Sequence, residues 1–179
     1  MTSKVVVITG ASAGIGAATA KLLAARGDRL MLAARRQTEL AQVAAQCGAG
    51  ARFTVTDVTR RADVEHLRDE ALREFGHVDV WINNAGRGIS RPVLDLTDED
   101  FDQIMAVNVK SALYGMQAIV PHFKERGAGH LINVSSALGR IPFVSVRSVY
   151  SAAKAALNSL TANLRMELRT AYPNIQYRW

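Results

Sequence analysis

The sequence predicts an α/β fold in which helices cover both faces of a doubly wound parallel sheet. The first observation is that short, β-branched apolar runs alternate with longer helical stretches from residue 4 to residue 170. The second is that no linker, internal repeat or low-complexity tract interrupts this alternation, so we expect residues 1–179 to form one domain. Repeated β-α units of this length require parallel strands joined by right-handed helical crossovers.

Five strands are predicted, at residues 4–9, 29–33, 51–55, 78–82 and 130–134. The first is a β-branched apolar run that ends at a glycine, which is typical of a strand buried on both faces of a sheet. A sixth strand could begin at residues 173–176. Arg178 and Trp179 would be unusual continuations for a buried parallel strand.

Helices are predicted at residues 14–26, 36–46, 60–75, 98–124 and 148–170. Gly27 and Gly76 directly follow the first and third of these helices, where a glycine commonly ends a helix. Thr97 is placed to cap the fourth helix, and the three acidic residues after it favour its first turn.

The composition is that of an ordinary globular protein, with 49% apolar and 21% charged residues. No apolar run approaches the length of a membrane span, and the N-terminal segment lacks the form of a secretory signal. Cys47 is the only cysteine, which excludes an intramolecular disulfide and favours the reducing cytoplasm as the compartment.

The net charge of +6 raises the question of a nucleic-acid partner. The arginines are scattered, however, and the pairs Arg35–Arg36 and Arg60–Arg61 have no interleaved aromatic residues that could stack on bases. We therefore expect no nucleic-acid binding, and a phosphorylated small molecule as the anionic partner. We also expect no metal site, because no metal-ligand spacing connects His66, His77, His122 and His130.

The notable polar and glycine-rich motifs all follow predicted strands. Residues 10–16 come after the first strand, Asp57 after the third, residues 83–86 after the fourth, and the pair Ser135–Ser136 after the fifth. Because the carboxyl ends of parallel strands meet at one edge of a sheet, these motifs should line one crevice, where ligands bind in such folds.

Gly10, Gly14 and Gly16 occupy the turn between the first strand and the first helix. Such a turn lets the backbone approach a pyrophosphate, and the helix N-terminus behind it favours anions. The spacing Gly-x-x-x-Gly-x-Gly differs from the more familiar Gly-x-Gly-x-x-Gly, and a glycine trio alone would be weak evidence of function. We expect Ser12 and Ile15, within the same turn, to contact the bound nucleotide.

Tyr150 and Lys154 lie four residues apart at the start of the last predicted helix, so their side chains share one face. An ammonium beside a phenol favours the phenolate, which eases proton transfer near neutral pH. The alternative is a packed tyrosine beside a solvated lysine. The glycine-rich turn at the other end of the chain favours the acid/base interpretation.

Taken together, these motifs resemble those of the short-chain dehydrogenase/reductase superfamily: Thr9-Gly10-x-x-x-Gly14-Ile15-Gly16, Asn83-Asn84-Ala85-Gly86, the serine pair and Tyr150-x-x-x-Lys154. The resemblance extends over residues 4–170. It implies a Rossmann-type fold and an NAD(P)-dependent oxidoreductase that interconverts an alcohol and a carbonyl.

The resemblance also implies roles for individual residues. Tyr150 would be the general acid/base, and Lys154 would hold the ribose hydroxyls and lower the tyrosine pKa. Ser136, with Ser135 as the alternative, would hydrogen-bond the substrate oxygen. Asn108 would mark a local bulge in the long helix and hold a water of a proton relay.

On the cofactor side, the resemblance implies that Asp57 and the neighbouring Val58 contact the adenine. Asp57 could instead cap the following helix. The backbone of residues 83–86 would approach the adenosine ribose, with the expected contacts at Asn84, Ala85 and Gly86.

The end of the second strand predicts NADP(H) in preference to NAD(H). An NAD site usually offers a carboxylate there, whereas this chain has Arg35 and Arg36 and no acidic residue between Asp28 and Glu39. A guanidinium binds a 2′-phosphate in bidentate fashion, and we expect Arg35 to be the main contact.

Members of the family continue into a complete sixth strand, a Pro-Gly loop, a substrate lid and a seventh strand, whereas this sequence stops at Trp179. We therefore expect a C-terminally truncated member without a lid, with its last strands missing or incomplete. Residues 131–134 of the fifth strand would then expose an apolar edge. The alternative function is a non-catalytic dinucleotide-binding or interaction module.

The resemblance further implies a homodimer or homotetramer that assembles through the fourth and last helices. The small residues Ala152, Ala153, Ala155 and Ala156 would permit close approach of two such helices, although they could equally pack on the sheet.

Overall fold

The computed structural model describes residues 3–179, which form one parallel sheet flanked by helices on both faces. The strands are β1 (Val5–Thr9), β2 (Arg29–Ala34), β3 (Ala51–Val55), β4 (Val80–Asn83), β5 (Gly129–Asn133) and β6 (Ile175–Arg178). They lie in the order β3-β2-β1-β4-β5-β6, so the chain builds the sheet from β1 towards β3 and then crosses back to add β4 on the other side of β1. This switch opens a crevice at the carboxyl ends of β1 and β4.

The two faces of the sheet carry different helices, and the predicted doubly wound α/β fold is confirmed. The helices are α1 (Gly14–Ala25), α2 (Gln37–Cys47), α3 (Arg61–Phe75), α4 (Asp98–Met105), α5 (Ser111–Arg126) and α6 (Ser148–Leu168). Val6 and Ile8 of β1 pack with α1 and α2, whereas Val5 and Val7 pack with α3, α5 and α6. Both faces of β1 are therefore buried, which explains its unbroken apolar sequence.

The long helix predicted after Thr97 is divided in the structure. Thr97 caps α4 as expected, in a capping box with Asp100. A π-helical turn at Ala106–Lys110 then separates α4 from α5. Periodicity alone did not indicate this division, because the apolar pattern continues across it.

The expectation that β5 would lack an outer neighbour is wrong. β6 pairs with β5 in parallel, with Leu131 opposite Tyr177 and Ile132 opposite Arg178. Ile175 and Tyr177 are buried towards the helices, while Gln176 and Arg178 are exposed. An edge strand needs only one apolar face, so an arginine at its end is compatible with the sheet.

A buried polar chain crosses the core beneath the crevice. Asn83 Oδ1 accepts a hydrogen bond from the Trp81 indole at 2.8 Å, and Asn83 Nδ2 donates to Asn133 Oδ1 at 2.8 Å. Asn133 Nδ2 in turn donates to Thr161 Oγ1 at 2.8 Å. These bonds join β4 and β5 to α6 and fix the carboxyl ends of the two strands. Asn83 thus points into the core, and only its neighbours face the crevice.

Replacing Asn133 by alanine should destabilise the protein by about 1–3 kcal/mol, because buried partners on both sides would lose their hydrogen bonds. Urea denaturation measures the change. Asn163→Ala is the matched control, since Asn163 is exposed on α6 and bonds only within its own helix. Equal stability losses in the two variants would contradict a structural role for the buried chain.

Candidate active site and cofactor cleft

The turn between β1 and α1 adopts a form that requires glycine. Gly10 and Gly14 have positive φ angles of 68° and 56°. A Cβ atom on Gly16 would collide with the Gly10 carbonyl oxygen and would lie 2.6 Å from Asn84 Nδ2. The first turn of α1 therefore packs directly on the chain that enters it.

Two side chains hold this turn against the segment that follows β4. Thr9 Oγ1 accepts hydrogen bonds from the backbone N–H groups of Asn84, at 3.0 Å, and Ala85, at 3.1 Å. Asn84 Nδ2 donates to the Thr9 carbonyl at 2.9 Å. The two neighbouring strand ends are thus clamped together, and a Cβ on Gly10 would lie 2.8 Å from Ala85 Cα.

A cleft of about 430 Å³ lies over this clamp. Its walls come from the glycine turn, the end of β2, the segment after β3 and the segment after β4. The predicted cofactor contacts that line it are Gly10, Ser12, Gly14, Ile15, Arg35, Arg36, Asp57, Val58, Asn84, Ala85 and Gly86. Gly16 lies beneath the turn and supports it.

The chemistry of the cleft fits a dinucleotide. Glycine backbone lies where a diphosphate would need close approach, and a Cβ on Gly14 would meet no atom within 4 Å, so the space beside it is open. Ile15 offers an apolar surface that is 67% exposed. Arg36 donates a hydrogen bond to Ser12 Oγ at 3.1 Å and pairs with Glu39, whereas Arg35 has no ion pair among residues 3–179.

Asp57 is held in place by its own turn. Its Oδ1 accepts hydrogen bonds from the Thr59 backbone N–H, at 3.0 Å, and the Thr59 hydroxyl, at 2.8 Å. Burial opposes ionisation, but these two bonds and the charges of Arg35 and Arg60 outweigh it and lower the pKa of Asp57. The side chain bonds to Thr59 before α3 begins, so it does not cap that helix directly.

Lys154 is buried on α6, one turn after Tyr150. Its Nζ donates a hydrogen bond to the Val134 carbonyl at 2.8 Å and lies 5.7 Å from the centre of the Tyr150 ring. Tyr150 itself is half-buried in the first turn of α6. Burial of the ammonium lowers the pKa of Lys154 to about 8.

The π-helical turn directs Asn108 towards the same place, so the expected bulge in the long helix is confirmed. Asn108 Nδ2 donates hydrogen bonds to the carbonyls of Arg87, at 2.8 Å, and Ile104, at 3.0 Å. A Cβ on Gly86 would lie 2.9 Å from Asn108 Oδ1 and 3.6 Å from Lys154 Nζ. Gly86 therefore connects the cofactor cleft to the Asn108–Lys154 pair.

The two serines after β5 have different partners. Ser135 donates its hydroxyl proton to Asn158 Oδ1 at 2.6 Å. Ser136 Oγ accepts a hydrogen bond from the Leu138 N–H at 3.2 Å, and its own proton has no acceptor among residues 3–179. Only Ser136 thus has a free donor, which favours it over Ser135 as the serine that meets a substrate oxygen.

Sequence reasoning did not identify Asn158. It lies four residues after Lys154, on the same face of α6, and bonds both Ser135 and the carbonyl of Gly139, the latter at 3.2 Å. The repeated four-residue spacing from Tyr150 through Lys154 to Asn158 was the available signal.

Burial of Lys154 predicts a pH-dependent contribution to stability. Below about pH 8 the lysine is charged in both states, and the full cost of burying that charge is present. Between about pH 8 and its ordinary value of 10.5, the unfolded chain binds a proton that the folded protein has released, so stability rises with pH. Above about pH 10.5 the lysine is neutral in both the folded and the unfolded state, so its burial no longer costs the free energy of burying a charge.

The difference in unfolding free energy between the wild-type protein and Lys154→Met should therefore move in favour of the wild type by about 2–3 kcal/mol between pH 7 and pH 10.5. Urea denaturation across this range is the measurement. Lys21→Met, on the exposed face of α1, is the control and should show no such trend. A flat difference for Lys154→Met would contradict burial of its charge.

Within residues 3–179, no cluster of histidine, cysteine, aspartate and glutamate could hold a metal ion. His122, for example, accepts a hydrogen bond from the Val78 N–H. Over the same residues, none of the helices has the length and apolar character that crossing a membrane requires.

The fold and this arrangement define a nucleotide-binding α/β protein with a tyrosine–lysine pair beside its cleft. Residues 4–176 match the family described as short chain dehydrogenase. An uncharacterized oxidoreductase of Staphylococcus epidermidis is 36% identical over 165 residues, which cover 92% of this chain and 71% of the relative. The chain belongs to the short-chain dehydrogenase family, as the motifs predicted.

Comparison with solved structures supports the same family. A short-chain dehydrogenase/reductase from Burkholderia phymatum in complex with NAD superposes with a TM-score of 0.93 at 34% identity, covering 97% of this chain and 63% of that one. An alcohol dehydrogenase from the archaeon Thermococcus sibiricus, complexed with 5-hydroxy-NADP, gives a TM-score of 0.88 at 30% identity, covering 97% and 73%. The chain thus spans about two thirds of the length of these structures.

Proposed function

We propose that this chain binds NADP(H) and interconverts an alcohol and a carbonyl, with Tyr150 as the general acid/base. The observation that carries the proposal is the junction at Gly86, where the dinucleotide cleft meets buried Lys154 beside the Tyr150 ring. A cleft for a nucleotide and a proton-transfer pair at its end are the two requirements of such chemistry.

The bound cofactor would supply or accept the hydride at the substrate carbon. In the direction of reduction, Tyr150 gives its phenolic proton to the carbonyl oxygen, and Ser136 donates a hydrogen bond to the same oxygen. The Lys154 ammonium stabilises the phenolate that remains, and Asn108 fixes the backbone at Arg87 beside it. In oxidation, Tyr150 removes the hydroxyl proton instead.

A non-catalytic dinucleotide-binding module is the second candidate. This chain spans 63% of the length of the short-chain dehydrogenase/reductase solved in complex with NAD. NADPH oxidation with a panel of ketones and aldehydes separates the two. Turnover supports the enzyme, whereas NADPH binding without turnover of any compound supports the module.

Exchanging Arg35 for aspartate should shift cofactor preference from NADPH towards NADH by at least about tenfold. The carboxylate would repel a 2′-phosphate and accept hydrogen bonds from a 2′-hydroxyl. Fluorescence titration with both nucleotides gives the ratio of affinities. Arg73→Asp, on α3 and outside the cleft, is the matched control. Unchanged NADPH affinity in Arg35→Asp would show that Arg35 does not contact the cofactor.

We also propose a homo-oligomer built through α4 and α6. Phe101 of α4 is 48% exposed, and Ala152 and Ala155 of α6 are exposed as well. Sedimentation equilibrium gives the native mass and thus the number of subunits.

A further inference from the structure

The segment that follows β5 is a tight turn with its own internal hydrogen bonds. Ala137–Gly139 form a short 3₁₀ helix, which Ser136 caps by accepting a bond from the Leu138 N–H at 3.2 Å. The Ser136 carbonyl accepts a second bond, from the Gly139 N–H at 3.0 Å. These bonds fix the position of Ser136 Oγ within the turn. They do not fix where the turn lies relative to Tyr150.

Both ends of this turn are tied to one side chain, the half-buried amide of Asn158 on α6. Ser135 donates its hydroxyl proton to Asn158 Oδ1 at 2.6 Å, and Asn158 Nδ2 donates to the Gly139 carbonyl at 3.2 Å. The amide uses its acceptor towards one end of the turn and its donor towards the other. A rotated amide would place its oxygen against the Gly139 carbonyl, so only one orientation satisfies both partners.

The turn also packs closely on α6. A Cβ on Gly139 would lie 2.8 Å from the Lys154 carbonyl carbon and 2.9 Å from Asn158 Nδ2. Just before the turn, Lys154 Nζ donates a hydrogen bond to the Val134 carbonyl at 2.8 Å. Within residues 3–179, Asn158 is the one side chain of α6 that hydrogen-bonds residues 135–139. Asn158 therefore holds the turn itself, whereas Lys154 holds the chain that enters it.

The same helix carries the phenol that the serine has to meet. Tyr150, Lys154 and Asn158 follow one another at a spacing of four residues and lie along one face of α6. The eight residues from Tyr150 to Asn158 span about 12 Å of helix axis, and a helix of this kind is a rigid support. A shift of the turn on Asn158 therefore changes the separation between the Ser136 hydroxyl and the Tyr150 phenol.

We infer that Asn158 is a positioning residue, which sets the distance between the Ser136 hydroxyl and the Tyr150 phenol by holding residues 135–139 on α6. This inference rests on the proposed reaction, because in it the two hydroxyl groups act on one substrate oxygen. Within residues 3–179, Asn158 makes no hydrogen bond to Ser136 or Tyr150, so it acts through the turn. A displacement of the serine by about 1 Å is enough to slow such a reaction about a hundredfold.

The first test is a double-mutant cycle between Asn158→Ala and Ser136→Ala, measured as kcat with NADPH and the best substrate. Asn158→Ala alone should lower kcat about ten- to hundredfold, with NADPH affinity unchanged. In the Ser136→Ala background it should cause no further loss, because no serine hydroxyl remains to be positioned. Wild-type kcat in Asn158→Ala would overturn the inference. So would an equal loss in both backgrounds, which would show that Asn158 does not act through Ser136.

A second cycle, between Asn158→Ala and Ser135→Ala, tests whether Ser135 is an anchor of the turn. Ser135→Ala removes one of the two bonds of the Asn158 amide and keeps the bond to Gly139. It should lower kcat less than Asn158→Ala does, and it should have no effect once Asn158 is alanine. A loss of the same size in both backgrounds would show that Ser135 itself meets the substrate, and would overturn its role as an anchor.

Asn163→Ala is the matched control for these measurements. Asn163 lies five residues further along α6, is exposed, and donates its hydrogen bond to the Ser159 carbonyl of the same helix. It should keep the wild-type kcat in every background. A comparable fall of kcat in Asn158→Ala and Asn163→Ala would indicate a general effect on α6 and would overturn the inference.

Hydrogen exchange tests the contact without any turnover. Asn158→Ala should speed exchange of the backbone amides of residues 138–140, which bond within the turn, and Asn163→Ala should not. Unchanged exchange in Asn158→Ala would overturn the inference, whether or not the protein turns over a substrate. Faster exchange in a protein that turns over no substrate would support the contact between Asn158 and the turn and reject the proposed reaction.

Discussion

Tyr150→Phe should lower the turnover of a carbonyl substrate by about 10²- to 10⁴-fold, because a phenyl ring has no proton to give to the substrate oxygen. The half-buried position of the ring and its contact with Lys154 Nζ at 5.7 Å are retained when only the hydroxyl is removed. NADPH affinity should therefore change little. Initial rates of NADPH oxidation and a fluorescence titration measure the two quantities.

Tyr172→Phe is the matched control for this prediction. Tyr172 also lies beside a lysine, since Lys124 Nζ is 5.4 Å from its ring centre, but it lies beyond the end of α6 and outside the cleft. Its substitution should leave turnover unchanged. Full activity in Tyr150→Phe would exclude the phenol as the acid/base, and an equal loss in both variants would point to a general effect on stability.

The order of strands and helices was predictable because each element carries its own signal. The unbroken apolar run of β1, the capping residues around Thr97 and the glycines after α1 and α3 act locally, and local signals are present in the sequence. The shared position of the motifs then followed from the geometry of parallel strands, which brings the carboxyl end of each strand to one edge. Eleven predicted cofactor contacts accordingly line one cleft.

Features that depend on contacts distant in sequence could not be predicted in the same way. Asn158 reveals its role only through its bonds to Ser135 and Gly139, each about twenty residues away. Asn83 was assigned to the crevice, but the buried amide of Asn133 draws its side chain into the core. Edge strand β6 was misjudged because a strand buried on both faces was taken as the standard. Because β6 is an edge strand that pairs with β5 alone, it does not need apolar side chains on both faces.

Gly16→Ala should lower the affinity for NADPH by about a hundredfold or more. The new methyl group would collide with the Gly10 carbonyl oxygen and lie 2.6 Å from Asn84 Nδ2. The first of these is backbone, and the second is held by its hydrogen bond to Thr9, so neither can yield without opening the turn. The backbone N–H groups that should face the diphosphate would then lose their arrangement. The stability cost of such overpacking is about 1–3 kcal/mol.

Gly27→Ala separates loss of binding from loss of stability. Gly27 has a φ of 85°, so alanine there is strained by about 1–2 kcal/mol, yet its Cβ would meet no atom within 4 Å. Both variants should unfold at lower urea concentrations than the wild type, and only Gly16→Ala should fail to bind NADPH. Retained NADPH affinity in Gly16→Ala would mean that the diphosphate does not depend on this turn. The cofactor would then have to be held mainly by the residues after β2, β3 and β4.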